Sequence, residues 1–129
     1  MDKDIVLLDL FSGLGVFAVG LSNDGFNIKH HYFSEVNKNS IAVYRKQFKE
    51  AHYVGPVQDV HRRTIGRPTI ITFGSPCQDF SNNGNKQGIV GERSGLIREA
   101  LRLIIESQPD YFIWENVKGV FTTNSGADF

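Results

Sequence analysis

Cys77 is the single cysteine of the 129-residue chain, and its neighbours favour a chemical role. It lies in residues 74–81 (GSPCQDFS), directly after Pro76, whose ring rigidifies the approach to it. A thiolate is a strong nucleophile that can form a covalent intermediate with a substrate. The alternative, a small buried apolar residue, is weaker here because the segment is polar. Cys77 is therefore a candidate nucleophile.

A second candidate site follows the first apolar run. Residues 9–15 (DLFSGLG) place Gly13 and Gly15 where a strand turns into a helix, and glycines there let the backbone approach a ligand closely. Glu35 follows about 20 residues later, where a carboxylate can accept hydrogen bonds from ribose hydroxyls. The pattern Gly13-x-Gly15-x-x-Ala18 also satisfies the dinucleotide fingerprint, so an NAD-dependent oxidoreductase remains open at this point. Phe17 either covers an adenine or packs in the core.

Alternating strands and helices must position these residues. Apolar runs predict strands at residues 5–10, 28–34, 52–54, 69–73 and 111–115. Helical patterns run to about residue 23, from an N-cap at Asn37, and over residues 95–107. In the last helix we expect Ile97, Leu101 and Ile104 to face inward, and Arg98, Arg102 and Glu106 to face outward. This alternation predicts a parallel sheet with right-handed crossovers.

The candidate residues cluster at one edge of that sheet. Gly13, Glu35, Asp59, Cys77 and Glu115 each lie at or shortly after the end of a different predicted strand. The carboxyl ends of parallel strands meet at one edge, where α/β sheets bind ligands. Residues 75–94, rich in glycine and asparagine, are predicted to form a long loop, and loops of that length inside a compact domain are usually functional.

The motifs resemble those of one enzyme family. Gly74-Ser75-Pro76-Cys77-Gln78-x-Phe80-Ser81 is similar to the nucleophile motif of DNA (cytosine-5)-methyltransferases. Residues 9–15 are similar to that family's first cofactor motif, and Glu115-Asn116-Val117 to its Glu-Asn-Val motif. Glu35 and Asp59-Val60 match its ribose-binding and adenine-binding positions. One departure is Val16, where the family commonly has a further glycine, and we expect it to alter the turn slightly without abolishing it.

The resemblance implies a fold, a cofactor and residue roles. The fold would be α/β, a Rossmann-like S-adenosylmethionine-dependent methyltransferase fold with a parallel sheet of about five strands. Cys77 would add to C6 of cytosine, Glu115 would hydrogen-bond N3 and the exocyclic amine, and Asn116 would position Glu115. The residues implied to bind S-adenosylmethionine are Phe11, Gly13, Gly15, Phe17, Glu35, Asp59, Val60, Pro76 and Leu96.

The implied substrate is double-stranded DNA with the target cytosine flipped out of the helix. Residues 82–93 would close over the base, with Ser81, Lys86 and Arg93 contacting DNA. For Lys86 and Arg93 a merely solvated role is equally open. Methylation of RNA cytosine by the same fold is a further alternative, because nothing in these motifs separates the two substrates.

Later parts of the family pattern are not found after Val117. Residues 1–129 are therefore expected to be the N-terminal part of the catalytic domain, without the target-recognition domain and the C-terminal segment. The sheet would be incomplete at its fifth strand, leaving residues 111–114 as an apolar edge that invites pairing with a second polypeptide or a second copy. The chain alone would bind the cofactor weakly and methylate nothing. A non-catalytic S-adenosylmethionine-binding module, or one half of a split enzyme, is the alternative.

The composition of the chain restricts which classes of protein function remain possible. Fourteen basic residues balance fourteen acidic ones, so nucleic-acid contacts would need a local patch. One cysteine excludes an internal disulfide and favours the cytosol, and no run approaches the roughly 20 apolar residues of a membrane span. No metal site is predicted. The NAD-dependent oxidoreductase leaves Cys77 and Glu115 unexplained.

Overall fold

A computed structural model describes residues 3–74 and 86–115 of the chain, with side chains described for residues 3–74 and 95–115. Five strands are present: β1 Asp4–Leu10, β2 Asn27–Ser34, β3 His52–Tyr53, β4 Ile70–Gly74 and β5 Tyr111–Glu115. The helices are α1 Val16–Asn23, α2 Lys38–Gln47, α3 Arg62–Ile65 and α4 Lys86–Ser107, with a 3₁₀ turn at Val57–Asp59. Within these ranges no helix combines the length and apolar character that crossing a membrane requires.

The strands form one parallel sheet in the order β3-β2-β1-β4-β5. The chain moves outward from β1 to β2 and β3, then returns to the other side of β1 for β4 and β5. The order reverses between β1 and β4, and sheets of this kind bind ligands at the carboxyl ends of the strands beside such a reversal. The predicted α/β fold with five parallel strands is confirmed.

Side-chain alternation along β1 gives the sheet two apolar faces. Leu8 and Leu10 belong to one cluster with Ile71, Phe73 and Leu103, to which α4 contributes. Ile5 and Leu7 belong to a second cluster with Ala18 of α1. Because both faces of the central strands are covered, those strands read as nearly continuous apolar runs, which is why the sequence located them within a residue or two.

Two predictions about the region before and along α4 differ in part from the structure. Residues 86–94 are helical rather than part of a long loop. Gly88 and Gly91 suggested a loop, but each glycine costs a helix only about 1 kcal/mol, which does not forbid it. The inward face of α4 differs from the expectation in part: Ile104 packs against the core as predicted, but Ala100, Leu103 and Ser107 are the buried residues and Leu101 is 46% exposed.

Strand β5 forms one edge of the described sheet. It pairs with β4 from Ile70↔Tyr111 to Gly74↔Glu115, and no described strand pairs with its other side. Residues 111–114 remain 40–55% exposed although all four are large and apolar. Phe73 stacks with Trp114 and Phe112 at ring centroid distances of 6.0 and 6.3 Å, so β5 extends the apolar face on which α4 lies.

Candidate functional site

The turn between β1 and α1 has an unusual backbone. Phe11, Gly13 and Gly15 all have positive φ, at 52°, 53° and 84°. Gly15 is the N-cap of α1, and a Cβ there would lie 2.7 Å from Phe48 Cε2 and 3.0 Å from Tyr44 Cε2. Glycine at position 15 is thus required both by the left-handed conformation and by the aromatic rings packed against it. Val16, the departure from the family pattern, is 73% exposed in the first turn of α1, and the turn is retained.

Glu35 closes this turn from the end of β2. Its Oε1 accepts a hydrogen bond from the N–H of Gly13 at 2.8 Å, and its Oε2 accepts from the N–H groups of Val36 and Asn37 at 2.7 and 3.0 Å. The hydroxyl of Tyr53 on β3 donates to the Glu35 carbonyl at 2.8 Å. Asn37 in turn caps α2 through the Ser40 N–H, as predicted. The carboxylate is therefore fixed beside the glycine turn.

Two features of the turn leave room for a ligand. A Cβ on Gly13 would meet nothing within 4 Å, so the backbone at Gly13 faces open space. Next to it, the Ser12 Oγ is buried without a hydrogen-bond partner among the described residues. A buried hydroxyl without a partner is uncommon, because the missing hydrogen bond costs about 1–3 kcal/mol. The position suits a polar ligand group that supplies the bond.

Asp59 and Val60 lie in the connection after β3. Asp59 ends the 3₁₀ turn and is exposed, whereas the Val60 side chain is 1% exposed and belongs to the core. Any contact of Val60 with a ligand would thus come from its backbone. The Ser34 hydroxyl donates to the Gly55 carbonyl at 2.7 Å, which ties this connection to the end of β2 that carries Glu35.

Arg102 of α4 forms hydrogen bonds with the same connection after β3. Its Nη2 donates to the carbonyls of Val57 and Val60 at 3.2 and 2.9 Å, while Nε and Nη1 pair with Glu99 and Glu106. Arg102 was expected only to face outward, but its guanidinium bonds to this connection as well. The helical pattern showed that Arg102 is off the core-facing stripe, but it could not show that this flank of α4 meets the 3₁₀ turn.

A buried polar chain lies beneath the glycine turn. Asp9 Oδ1 accepts from the Thr72 hydroxyl at 2.9 Å, and Asp9 Oδ2 accepts from the Tyr44 hydroxyl at 3.0 Å. The same Tyr44 hydroxyl lies 2.5 Å from His31 Nε2. Burial raises the pKa of Asp9 to about 7, although the hydrogen bonds from Thr72 and Tyr44 act in the opposite direction. Burial, reinforced by His52, lowers the pKa of His31 to about 4.

The remaining predicted cofactor residues are spread around this edge. Phe11 and Leu96 are partly buried and pack against the same apolar cluster, so they approach the edge from β1 and α4. Phe17 is half-buried in α1 and makes no ring contact with a described aromatic residue. Their contact with a ligand stays a prediction. Pro76 lies outside the described residues.

Only one of the predicted catalytic residues is described. Glu115 ends β5, exposed, and pairs in register with Gly74, the residue that leads into the Ser75-Pro76-Cys77 segment. Strands β4 and β5 therefore bring the two predicted catalytic motifs to neighbouring strand ends. Cys77, Ser81 and Asn116 lie outside the described residues. Lys86 and Arg93 lie on α4, two turns apart, in the part for which side chains are not described.

Comparison with known proteins decides the family. The model of the C-5 cytosine-specific DNA methylase family matches residues 5–129. The chain belongs to the C-5 cytosine-specific DNA methylase family. It is 31% identical over 125 residues to the type II methyltransferase M.BsuFI of Bacillus subtilis, covering 97% of this chain and 30% of that protein. Against M.HhaI of Haemophilus parahaemolyticus it is 33% identical over 119 residues, covering 92% of this chain and 36% of that protein.

Solved structures show the same fold. The S. pombe Dnmt2 methyltransferase superposes with a TM-score of 0.68 at 20% identity, over 94% of this chain and 38% of that one. A Spodoptera frugiperda DNMT2 variant gives a TM-score of 0.69 at 23% identity, over 92% and 37%. This chain therefore spans about a third of the length of the methyltransferases that it resembles.

Sequence reasoning missed three residues that shape the site. Asp9, Ser12 and Tyr44 were not assigned a role, yet all three support or border the glycine turn. Asp9 gave the one available signal, since an acid inside an otherwise apolar strand must find buried partners. Nothing in the sequence identified Tyr44 and Thr72 as those partners, which lie 35 and 63 residues away.

Proposed function

We propose that this chain supplies the cofactor-binding and nucleophile-bearing part of an enzyme that transfers a methyl group from S-adenosylmethionine to C5 of cytosine in DNA. The observation that carries the proposal is the meeting of the glycine turn, Glu35 and the end of β5 at one sheet edge, in a chain of the cytosine-specific methylase family. Residues 1–129 would be the N-terminal part of the catalytic domain, and target recognition would belong to a further region.

The turn fits the nucleoside end of S-adenosylmethionine. A carboxylate offers about four lone-pair sites, and backbone N–H groups occupy three of those on Glu35, which leaves one for a ribose hydroxyl. The Ser12 Oγ and the open space at Gly13 lie beside it. S-adenosylmethionine has no pyrophosphate, so this turn does not need a phosphate cradle. Asp59 would accept from the adenine amine, with Phe11, Phe17, Val60, Pro76 and Leu96 completing the pocket.

Cys77 and Glu115 would carry the chemistry on cytosine. Addition of the Cys77 thiolate forms a bond from Sγ to C6 and moves the C5–C6 π electrons onto C5. Glu115, positioned by Asn116, would stabilise the charge that develops on the ring through N3 and the exocyclic amine. S-adenosylmethionine, when bound, would supply the methyl group: C5 would bond to the methyl carbon as the bond from that carbon to the sulfonium sulfur breaks, leaving a neutral thioether. Loss of the C5 proton to water would then return the electron pair to the C5–C6 bond and expel the Cys77 thiolate.

DNA would reach this edge with the target cytosine flipped out of the duplex. Ser81, Lys86 and Arg93 are proposed to contact it. The helical start of α4 changes how the last two would do so, because they belong to a helix rather than to a closing loop. Pairing of β5 with a second polypeptide or a second copy remains part of the proposal.

Calorimetric titration of the chain with S-adenosylmethionine and with NAD tests the cofactor. We expect weak binding of S-adenosylmethionine and none of NAD. Glu35→Gln should weaken binding about tenfold or more, because an amide cannot accept all three backbone hydrogen bonds. Glu50→Gln is the matched control, since Glu50 is exposed in the turn after α2. Binding of NAD, or no effect of Glu35→Gln, would contradict the proposed site.

Cys77→Ser tests the nucleophile in the complete methyltransferase that contains this chain. Transfer of a labelled methyl group to cytosine-containing DNA should be lost, while S-adenosylmethionine binding is kept. RNA is offered in a parallel reaction. Retained DNA methylation by Cys77→Ser would exclude the covalent mechanism, and methylation of RNA alone would exclude DNA as the substrate.

A further inference from the structure

Tyr44 of α2 contacts both halves of the glycine-turn site. Its side chain is fully buried, and its ring stacks on Phe33 with centroids 4.1 Å apart and planes at 18°. Phe33 lies two residues before Glu35 on the same strand end. A Cβ at Gly15 would come within 3.0 Å of the Tyr44 ring, so the ring also closes directly against the N-cap of α1. One side chain therefore packs beneath both the turn and the strand that carries Glu35.

The Tyr44 hydroxyl also takes part in a chain of hydrogen bonds with a defined order of donors and acceptors. It donates to Asp9 Oδ2, while Thr72 donates to Oδ1, so both carboxylate oxygens act as acceptors. Because the Tyr44 O–H donates its hydrogen bond to Asp9, the Tyr44 oxygen acts as the acceptor toward His31 Nε2. The order His31 to Tyr44 to Asp9 requires an ionised Asp9 and a proton on His31 Nε2. Asp9 is two residues before Phe11, where the positive-φ turn begins.

We propose that Tyr44 is a positioning residue of the cofactor site: its hydroxyl, through Asp9, and its ring, through Gly15, hold the turn at residues 11–15 in the geometry that binds the nucleoside. The inference rests on the proposed S-adenosylmethionine site and adds a residue and a protonation state to it. Tyr44 does not contact the ligand. It acts through Asp9 and Gly15, so cofactor affinity follows the ionisation of Asp9.

The charged and titratable groups around Asp9 set the sign of this dependence. Tyr44 on α2 and Thr72 on β4 contact Asp9 directly, and Thr72 is uncharged. Glu35 acts on Asp9 electrostatically from the end of β2. His31 is linked to Asp9 through Tyr44, and His52 on β3 acts on His31. Glu35 disfavours a second negative charge, whereas the two hydroxyl donors favour it. Removal of either donor should make Asp9 harder to ionise. In the ionised state both hydroxyls donate to Asp9, which is the arrangement proposed to hold the turn, so affinity should fall as Asp9 becomes protonated.

Affinity for S-adenosylmethionine as a function of pH tests the proposal. Calorimetry on the wild type should show binding weaken as the pH falls through about 7, the pKa of Asp9. Tyr44→Phe keeps the ring and removes the hydroxyl, and should weaken binding about fivefold to tenfold at neutral pH. It should also move the midpoint upward by roughly half a pH unit or more. Tyr111→Phe, on the exposed edge strand, is the matched control and should change neither.

Thr72 supplies a second, independent pair of variants. Thr72→Val removes the other donor to Asp9 without changing the shape of the side chain, and should shift the midpoint in the same direction as Tyr44→Phe. Thr72→Ser keeps the hydroxyl and should restore the wild-type midpoint. A residue that only supports packing would change affinity but would not move this midpoint, so the pH profile separates positioning through Asp9 from a structural role.

The outcomes separate this inference from the proposed function. If the wild type binds no S-adenosylmethionine, the proposed function itself fails. If the wild type binds it and both Tyr44→Phe and Thr72→Val keep the wild-type midpoint, the site stands and the positioning role of Tyr44 is overturned. Upward shifts in both variants, with Thr72→Ser unshifted, support it.

Discussion

At the scale of single residues, Gly15 is the glycine, among those described, at which an added Cβ would meet the nearest neighbouring atoms. Gly15→Ala places a Cβ 2.7 Å from Phe48 Cε2 at a φ of 84°. Overpacking and the left-handed backbone together should lower the free energy of unfolding by about 2–4 kcal/mol in urea denaturation. Gly20→Ala is the control within α1: nothing lies within 4 Å of its Cβ, and a helix gains about 0.5–1 kcal/mol from alanine. Equal effects of the two substitutions would show that the turn imposes no special constraint.

Asp9 and His31 should make opposite contributions to the pH dependence of stability. The folded state raises the pKa of Asp9 from 3.8 to about 7, so this group's contribution falls as the pH rises through that window. It lowers the pKa of His31 from 6.5 to about 4, so that contribution rises with pH over nearly the same window. Each slope is at most about 1.4 kcal/mol per pH unit. The contributions of Asp9 and His31 to the unfolding free energy of the wild type should therefore nearly cancel between about pH 4 and 6.5, so that it varies little with pH there.

Single substitutions should expose each slope. Asp9→Asn leaves the His31 contribution, so its unfolding free energy should increase with pH; His31→Gln leaves the Asp9 contribution, so its unfolding free energy should decrease. Urea unfolding at several pH values between about 4 and 7 measures both slopes. Slopes of the same sign in the two variants would mean that burial does not shift these two groups as described.

At the scale of elements, the loop that carries Asp59 depends on α4. Arg102 donates to the carbonyls of Val57 and Val60, on either side of Asp59. Arg102→Gln removes these bonds and the pairs with Glu99 and Glu106. Because Arg102 is about a third exposed, we expect a loss of only about 1–2 kcal/mol in unfolding free energy, together with weaker S-adenosylmethionine binding. Arg98→Gln, on the exposed side of the same helix, should change neither; an equal loss there would exclude the specific role of Arg102.

The sequence predicted elements better than it predicted their contacts. Strands β1 and β4 were located within a residue or two because the central strands of a doubly covered parallel sheet need apolar runs. Strands β2 and β5 were located as well, although β2 carries exposed polar residues and β5 is an exposed edge. The start of α4 was missed because Gly88 and Gly91 lower helix propensity without preventing a helix. The motifs located the strand-end residues, but the partners of Asp9 and Arg102 come from distant elements that only the folded topology brings together.

At the scale of the whole molecule, the described sheet ends on an apolar strand. Trp114 and Phe112 stack with Phe73 and continue the face that α4 covers only in part. Relatives of this chain are about three times as long, so they have further residues with which such an edge could pair. On its outer side, β5 has backbone groups that pair with no described strand, beside a row of apolar side chains. Such an edge is a template for pairing with another strand. We therefore expect the pure chain to associate through β5.

Ile113→Lys tests this expectation. A lysine on an edge strand opposes pairing because its charge would be buried in the new interface. Sedimentation of the wild type at tens of micromolar (~10⁻⁵ M) should show concentration-dependent association, and Ile113→Lys should sediment as a monomer. Ile105→Lys is the matched control: Ile105 is 72% exposed but belongs to α4 rather than to the edge strand, and the variant should behave like the wild type. Association abolished equally by both would assign the contact to the apolar flank rather than to the strand, and a monomeric wild type would exclude pairing through β5.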